Sequence, residues 1–141
     1  MAFEGGLPME WMLMPLRRYA DFSGRSRRKE YWMFMLAVAI LYAACFLVFG
    51  GLGTPASEPE GEGGLFAIPI LILVLALIIP SLAVQVRRFH DQDKSGWFVL
   101  IGLIPFVGGF VVLVFMCLEG TRGPNRFGPD PLDPTSAKVF T

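Results

Sequence analysis

Three long apolar runs without a charged residue place the strongest constraint on this chain. They cover residues 31–49, 65–86 and 97–118. A helix needs about 20 apolar residues to cross the hydrocarbon core of a bilayer, and each run is close to that length. Because 54% of the residues are hydrophobic and only 17% are charged, the composition argues against an ordinary soluble domain. The sequence predicts an all-α membrane protein with three transmembrane helices, in one domain of 141 residues.

The third run is interrupted at residues 104–109, where the sequence reads IPFVGG. We expect one kinked span over residues 97–118. The alternative is a re-entrant hairpin that turns at residues 105–109, because each half of the run is too short to cross the bilayer alone.

The second run contains Pro69 and Pro80. A proline in a membrane helix leaves one backbone carbonyl without its helical donor, and another polar group has to replace that donor. Ser81 and Gln85 are the local candidates.

The charges outside the apolar runs are unevenly distributed. Six cations precede residue 31, three lie in the loop 87–96 and three in the polar tail 119–141, whereas the Gly-rich loop 50–64 has three glutamates and no cation. The positive-inside rule therefore predicts a cytoplasmic N-terminus, a cytoplasmic charged loop and an external acidic loop. Three spans put nine cations inside and three outside, while a hairpin puts all twelve inside. We favour three spans, since a re-entrant segment is the rarer architecture.

A short segment before these spans has a different character. Residues 9–19 (MEWMLMPLRRY) combine apolar and aromatic side chains with Arg17 and Arg18. This mixture is typical of a segment that lies in the membrane interface. A disordered tail is the alternative.

His90 and Asp91 are the pair most suggestive of chemistry, because a histidine beside a carboxylate can act as a general base or a metal ligand. Asp93 offers a further oxygen. A metal site needs three or four ligands, however, and the chain has a single histidine and no cysteine near this pair. We predict no metal site, no cofactor and no catalytic residue, and we expect these three side chains to pair with nearby arginines.

The basic residues on the predicted cytoplasmic side suggest a binding surface. An arginine fork suits bidentate contact with a phosphate, and each surface cation contributes about 1 kcal/mol toward an anionic leaflet. The alternative is that these cations only determine topology. Binding to nucleic acid has little support, because the cations lie beside the apolar runs. The candidate residues for binding a lipid headgroup or a partner are Arg25, Arg27, Arg28, Arg87, Arg88, His90, Asp91 and Asp93.

Several short motifs stand in order at the ends and in the middle of the apolar runs. They are DFSGR, RKEYW, RRFHD, SGW, IP, G, NRFG and DP, at residues 21–25, 28–32, 87–91, 95–97, 104–105, 108, 125–128 and 130–131. In this order they resemble the bacterial membrane family known as domain of unknown function 805, over about residues 11–131. The resemblance implies a small inner-membrane protein with a few spans and implies no activity.

We therefore predict a non-enzymatic, multi-pass protein of the bacterial inner membrane that binds anionic lipid headgroups or a protein partner. Three spans bury little surface, so a homo-oligomer or a complex with another membrane protein is compatible with this prediction. One alternative is a membrane enzyme that acts on a phosphorylated lipid through His90 and Asp91. Another is an oligomeric pore or transporter, which is disfavoured because the apolar runs contain no ionisable side chain well inside them.

Overall fold

The computed structural model describes residues 8–51 and 63–133. All secondary-structure elements in these residues are helices. The prediction of an all-α fold is confirmed. Most of the acidic loop 50–64 and the last eight residues of the tail 119–141 lie outside the described residues. The elements, in order, are α1 (Pro8–Arg17), α2 (Arg28–Cys45), a π-helical turn (Phe46–Gly51), α3 (Gly63–Asp91), a 3₁₀ helix (Gly96–Leu103) and α4 (Gly108–Cys117).

Two helices are long and apolar enough to cross a membrane. They are Arg28–Val48 and Ile68–Asp91, and they coincide with the first two apolar runs. Their outer faces carry many exposed large hydrophobic side chains, as expected for surfaces that face lipid. Each helix also continues beyond its apolar run into charged residues at one end, and these two charged ends lie together.

The third apolar run is divided into two short helices. The 3₁₀ helix Gly96–Leu103 forms its first half and α4 its second half, and neither has the roughly 20 residues that a span requires. The centroids of the Phe98 and Phe115 rings lie 6.2 Å apart, because the two halves run antiparallel. The expected single span over residues 97–118 is therefore not confirmed, and the run has the shape of a hairpin.

Two residues make the turn of this hairpin possible. Phe106 has a φ of 66°, a left-handed conformation that costs a non-glycine residue about 1–2 kcal/mol. A Cβ atom added at Gly108 would lie 2.0 Å from the carbonyl oxygen of Ile101, so a larger residue there would push the two halves apart. The interruption at residues 104–109 is thus a turn rather than a kink.

Tyr19 links the segment after α1 to the middle of α3. Its hydroxyl donates to the carbonyl oxygen of Ala76 over 2.5 Å. Pro80, four residues later in α3, has no N–H to donate to that carbonyl. The donor that replaces the helical bond is therefore Tyr19, 57 residues away in the sequence, and neither Ser81 nor Gln85, the predicted local donors.

The core lies where α2 begins and where α3 and α4 end. Its buried cluster consists of Tyr31, Phe34, Val84, Phe89, Val112 and Met116. Polar segments cover this end of the helices. We call these segments together the charged face, which consists of residues 21–30, 87–95 and 118–133.

Candidate functional site

The segment that follows α4 caps the last turn of α3. The backbone N–H of Thr121 donates to the carbonyl oxygen of Asp91 over 2.8 Å, and the side-chain amide of Asn125 donates to the carbonyl oxygen of His90 over 2.9 Å. The last carbonyls of a helix have no partner within the helix and need such donors. The NRFG motif therefore lies on the same face as the RRFHD motif.

Asp91 is held by two buried arginines. Its Oδ1 atom accepts a hydrogen bond of 2.9 Å from Nε of Arg25, and its Oδ2 atom accepts one from Arg88. Arg25 also donates to the carbonyl of Gly123 over 2.7 Å, and Arg88 donates to that of Leu118. The two arginine side chains are 2% and 0% exposed. They therefore join the end of α3 to the segment that follows α4.

Arg87 makes the corresponding connection to α2. Its side chain is fully buried, and its Nη2 atom lies 3.1 Å from Oε1 of Glu30. Its Nη1 atom donates to the carbonyl oxygen of Asp21 over 3.0 Å. We call Arg25, Glu30, Arg87, Arg88 and Asp91 the buried charge network. Three of the predicted binding arginines thus lie inside the protein, bonded to protein groups.

His90 and Asp93 lie at the edge of this network. The Nδ1 atom of His90 is 3.2 Å from the carbonyl oxygen of Gly24, and its ring stacks on Phe127 with the centroids 3.9 Å apart. Asp93 is half exposed and lies 3.2 Å from Nε of Arg126. The expected pairing with arginine is found for Asp93 and Asp91, but His90 contacts a carbonyl and an aromatic ring instead. No cluster of metal-binding side chains is found in residues 8–51 and 63–133.

Two carboxylates on the charged face are held in their ionised form. The pKa of Asp21 falls from its ordinary 3.8 to about 2, chiefly because the Ser23 hydroxyl donates to it. Burial alone raises the pKa of Asp130, but backbone N–H groups of Leu132 and Gly123 donate to it and outweigh burial, so the net shift is downward. Both aspartates therefore fix the loops in which they lie.

A cavity of about 370 Å³ opens beside the buried charge network. Its walls come from the start of α2, the last residue of α3 and the segment after α4, which are far apart in the sequence. They contain four cations and two carboxylates, one of which belongs to Asp91. We call this the basic cavity; it is lined by Arg27, Arg28, Lys29, Asp91, Glu119, Gly120, Arg122, Pro131 and Leu132.

The cations of the basic cavity are largely available to an anion. Nη2 of Arg28 lies 3.1 Å from Oε1 of Glu119, but these side chains are 48% and 67% exposed, and such exposed pairs contribute about 0–1 kcal/mol. Arg27, Lys29 and Arg122 form no ion pair with any other residue that the structure describes. An anionic group that enters the cavity would therefore break at most one weak, exposed ion pair, that between Arg28 and Glu119.

The structure divides the five predicted binding arginines into two groups. Arg27 and Arg28 line the basic cavity, whereas the other predicted arginines are buried. Lys29 and Arg122 also line the cavity and were absent from the predicted set. The hairpin alternative was the signal that could have found Arg122, because only a returning third run brings residues 119–131 to this face.

Comparison with known proteins shows bacterial relatives. The chain is 45% identical over 123 residues to Inner membrane protein YhaH of Escherichia coli (strain K12), covering 87% of this chain and 97% of that protein. It is 44% identical over 125 residues to Inner membrane protein YhaI of the same strain, with coverages of 87% and 96%. A more distant relative there, Uncharacterized protein YiiR, is 26% identical over 138 residues, with coverages of 80% and 87%. No solved structure matches this chain.

A family match agrees with these relatives. The family described as Protein of unknown function (DUF805) matches residues 19–129. That range contains the buried charge network, the hairpin and most of the basic cavity, and it leaves α1 outside. The resemblance noted from the sequence motifs is confirmed. This chain belongs to the DUF805 family and is a protein of the bacterial inner membrane.

Proposed function

We propose that this protein is a non-enzymatic membrane module that binds the anionic headgroup of a phospholipid in the basic cavity. The observation that carries this proposal is the convergence of Arg27, Arg28, Lys29 and Arg122 around one cavity of about 370 Å³. Arginine binds phosphate through its planar fork and lysine as a point charge. The cavity lies at the start of the span-length helix Arg28–Val48, the level at which phospholipid headgroups lie.

The topology that we propose has two spans and a re-entrant hairpin. A 3₁₀ helix rises about 2.0 Å and an α-helix about 1.5 Å per residue, so each half of the hairpin is about 15 Å long, half of a hydrocarbon core of about 30 Å. The hairpin therefore enters one leaflet and returns. The charged face holds most of the cations of the chain, so it is the cytoplasmic side by the positive-inside rule.

The arginines of the buried charge network have a different role in this proposal. Arg25, Arg87 and Arg88 already donate to carboxylates and carbonyls of the protein. They hold α2, α3 and the segment after α4 together, and that arrangement creates the basic cavity. The headgroup then contacts the cations of the basic cavity, which lie outside the buried charge network.

The headgroup proposal is tested with a variant that neutralises the cavity. The triple variant Arg27→Gln/Lys29→Gln/Arg122→Gln removes three cations that have no ion-pair partner among the described residues. With about 1 kcal/mol for each cation, we expect it to bind phosphatidic acid roughly 100-fold more weakly than the wild type. Binding is measured by titrating the lipid into protein purified in a neutral detergent.

A matched control separates the cavity from general surface charge. The variant Arg17→Gln/Lys94→Gln/Arg126→Gln changes the net charge equally, and none of its sites lines the basic cavity. We expect it to bind phosphatidic acid nearly as well as the wild type. Equal losses in the two triple variants would mean that overall charge, rather than this cavity, attracts the lipid.

The topology is tested by paired reporters that are active on opposite sides of the membrane. Fused after Thr141, the reporter that works in the cytoplasm is expected to be active. An active external reporter would show that the third run crosses the membrane. The basic cavity could not then form, since Arg122 and Arg28 would lie on opposite sides.

A further inference from the structure

An apolar groove of about 320 Å³ lies along α1. One wall consists of Met12, Leu13 and Leu16 of α1. The other consists of one side of α2 between Phe34 and Ala44, with Leu77 of α3. The α2 and α3 residues of the groove belong to the two span-length helices, so lipid acyl chains would reach the groove if these helices cross the membrane.

Trp11 of α1 contacts two cations of the basic cavity and directly precedes two residues of the apolar groove. The guanidinium carbon of Arg27 lies 5.7 Å from the centroid of the Trp11 ring, and the ammonium of Lys29 lies 5.5 Å from it. Both cations line the basic cavity, and Met12 and Leu13, the next residues of α1, line the groove. One short helix thus contacts the cations of the basic cavity through Trp11 and lines the apolar groove through the residues that follow it.

We propose that the two sites hold one phospholipid molecule, with its headgroup phosphate in the basic cavity and one acyl chain in the apolar groove. This inference rests on the proposed function and adds the chain to it. Cations line the cavity and apolar residues alone line the groove, which matches the charged headgroup and the apolar chains of a phospholipid. The volume of the groove also lies within the range of small-ligand pockets, about 300–1,000 Å³.

The size of the groove argues against a helix of a partner protein. One turn of a helix, about 10 Å wide and 5.4 Å long, fills on the order of 400 Å³, more than the whole groove of about 320 Å³. A flexible chain of methylene groups fits where a helix does not. The wall formed by α1 lies outside the family match at residues 19–129. Part of the acyl-chain site is therefore formed by a segment that the family match does not include.

The test compares phosphatidic acid with glycerol 3-phosphate, which is the same headgroup without acyl chains. The variant Ala37→Leu/Ala44→Leu fills the groove from α2. The matched control Ala39→Leu/Ala43→Leu adds the same side chains to the same helix, at positions that do not line it. We expect the first variant to bind phosphatidic acid at least about fivefold more weakly than the control, while both bind glycerol 3-phosphate as the wild type does.

A second variant guards against failure of the first to fold. Leu13→Trp fills the groove from the α1 wall, and we expect it to weaken phosphatidic acid binding in the same selective way. If both groove variants bind phosphatidic acid as well as the control does, the acyl-chain site is wrong. The headgroup proposal is then still tested separately by the triple variant of the basic cavity. If glycerol 3-phosphate binding falls equally, the groove acts only through the shape of the cavity, and the inference is overturned.

A third outcome concerns the proposed function itself. If the cavity variant binds both compounds like the wild type while the filled groove loses phosphatidic acid, the headgroup proposal fails. The joint site fails with it, because the groove would then hold a chain without its phosphate. The two proposals are therefore distinguishable in one set of titrations.

Discussion

Arg25 and Arg27 carry the same charge two residues apart, and the structure places them in opposite environments. The side chain of Arg25 is 2% exposed and bonded to Asp91. Arg27 precedes α2 in an extended conformation, lies against Trp11 and lines the basic cavity. The difference shows that one cluster of cations beside a span-length helix contains both buried, paired side chains and side chains that line a cavity.

The physical reason lies in what each cation would lose. A buried guanidinium has given up its hydration and needs its carboxylate, so removal of one partner leaves an uncompensated buried charge. An exposed cation keeps its hydration and contributes little to stability. Changes to the buried charge network should therefore lower stability, and changes to the basic cavity should lower lipid binding with little effect on stability.

The largest effect is expected for Asp91→Asn. This change leaves Arg25 and Arg88 buried without their carboxylate, and we expect the free energy of unfolding to fall by about 3–5 kcal/mol. Thermal unfolding in detergent measures the effect. The matched control is Asp93→Asn, two residues away, whose pair with Arg126 is exposed on both sides and should cost less than about 1 kcal/mol. Similar losses in both variants would remove the distinction between framework and surface.

The hairpin gives the next effect in size. Gly108→Ala brings a Cβ atom to 2.0 Å from the carbonyl oxygen of Ile101, whereas Gly109 has nothing within 4 Å of that position. We expect Gly108→Ala to cost about 1–3 kcal/mol and Gly109→Ala, which also favours the helix, to be neutral or stabilising. Thermal unfolding of the two variants in the same detergent measures the difference in stability. A loss in Gly109→Ala alone would contradict the hairpin.

Much of the fold could be predicted from the sequence because membrane spans are specified by composition. The runs 31–49 and 65–86 lack charges over the length that a bilayer demands, and both are helices. The third run could not be assigned in the same way. Its apolar residues are compatible with a span, which we favoured, and with a hairpin. The choice depends on tertiary contacts, namely the close approach of Gly108 to Ile101 and the capping of α3.

The candidate site was harder to predict than the fold. Composition gives the cations and predicts the side of the membrane on which they lie. The burial of each cation depends on which residues meet at the end of α3. Arg87 and Arg88 looked as exposed as Arg27 and Arg28, because a run of charges in a sequence does not show its partners. Arg122 reaches the cavity only because the hairpin returns the chain to this face. Similarly, no local pattern indicates that Tyr19 donates to Ala76.

The Tyr19 contact gives a smaller effect that can be measured by a double-mutant cycle. Tyr19→Phe removes the donor to Ala76, and we expect a cost of about 1 kcal/mol. Pro80→Ala restores a backbone N–H four residues after Ala76, so Tyr19→Phe should cost clearly less in that background. Equal costs in both backgrounds would mean that the hydroxyl does not replace the missing helical bond.

The smallest effect concerns Asp21, which lies between the two regions. Its carbonyl accepts from Arg87 of the network, but its side chain is 37% exposed and pairs with Arg18. Its pKa in the folded protein, about 2, is below the ordinary 3.8, so its carboxylate stabilises the fold above the ordinary pKa and loses this contribution as the pH falls through about 2. The difference in melting temperature between wild type and Asp21→Asn should therefore be constant above about pH 5 and shrink toward zero near pH 2. A difference that persists at the acid end would mean that the carboxyl group of Asp21 acts through its hydrogen bonds with Ser23 and not through its charge.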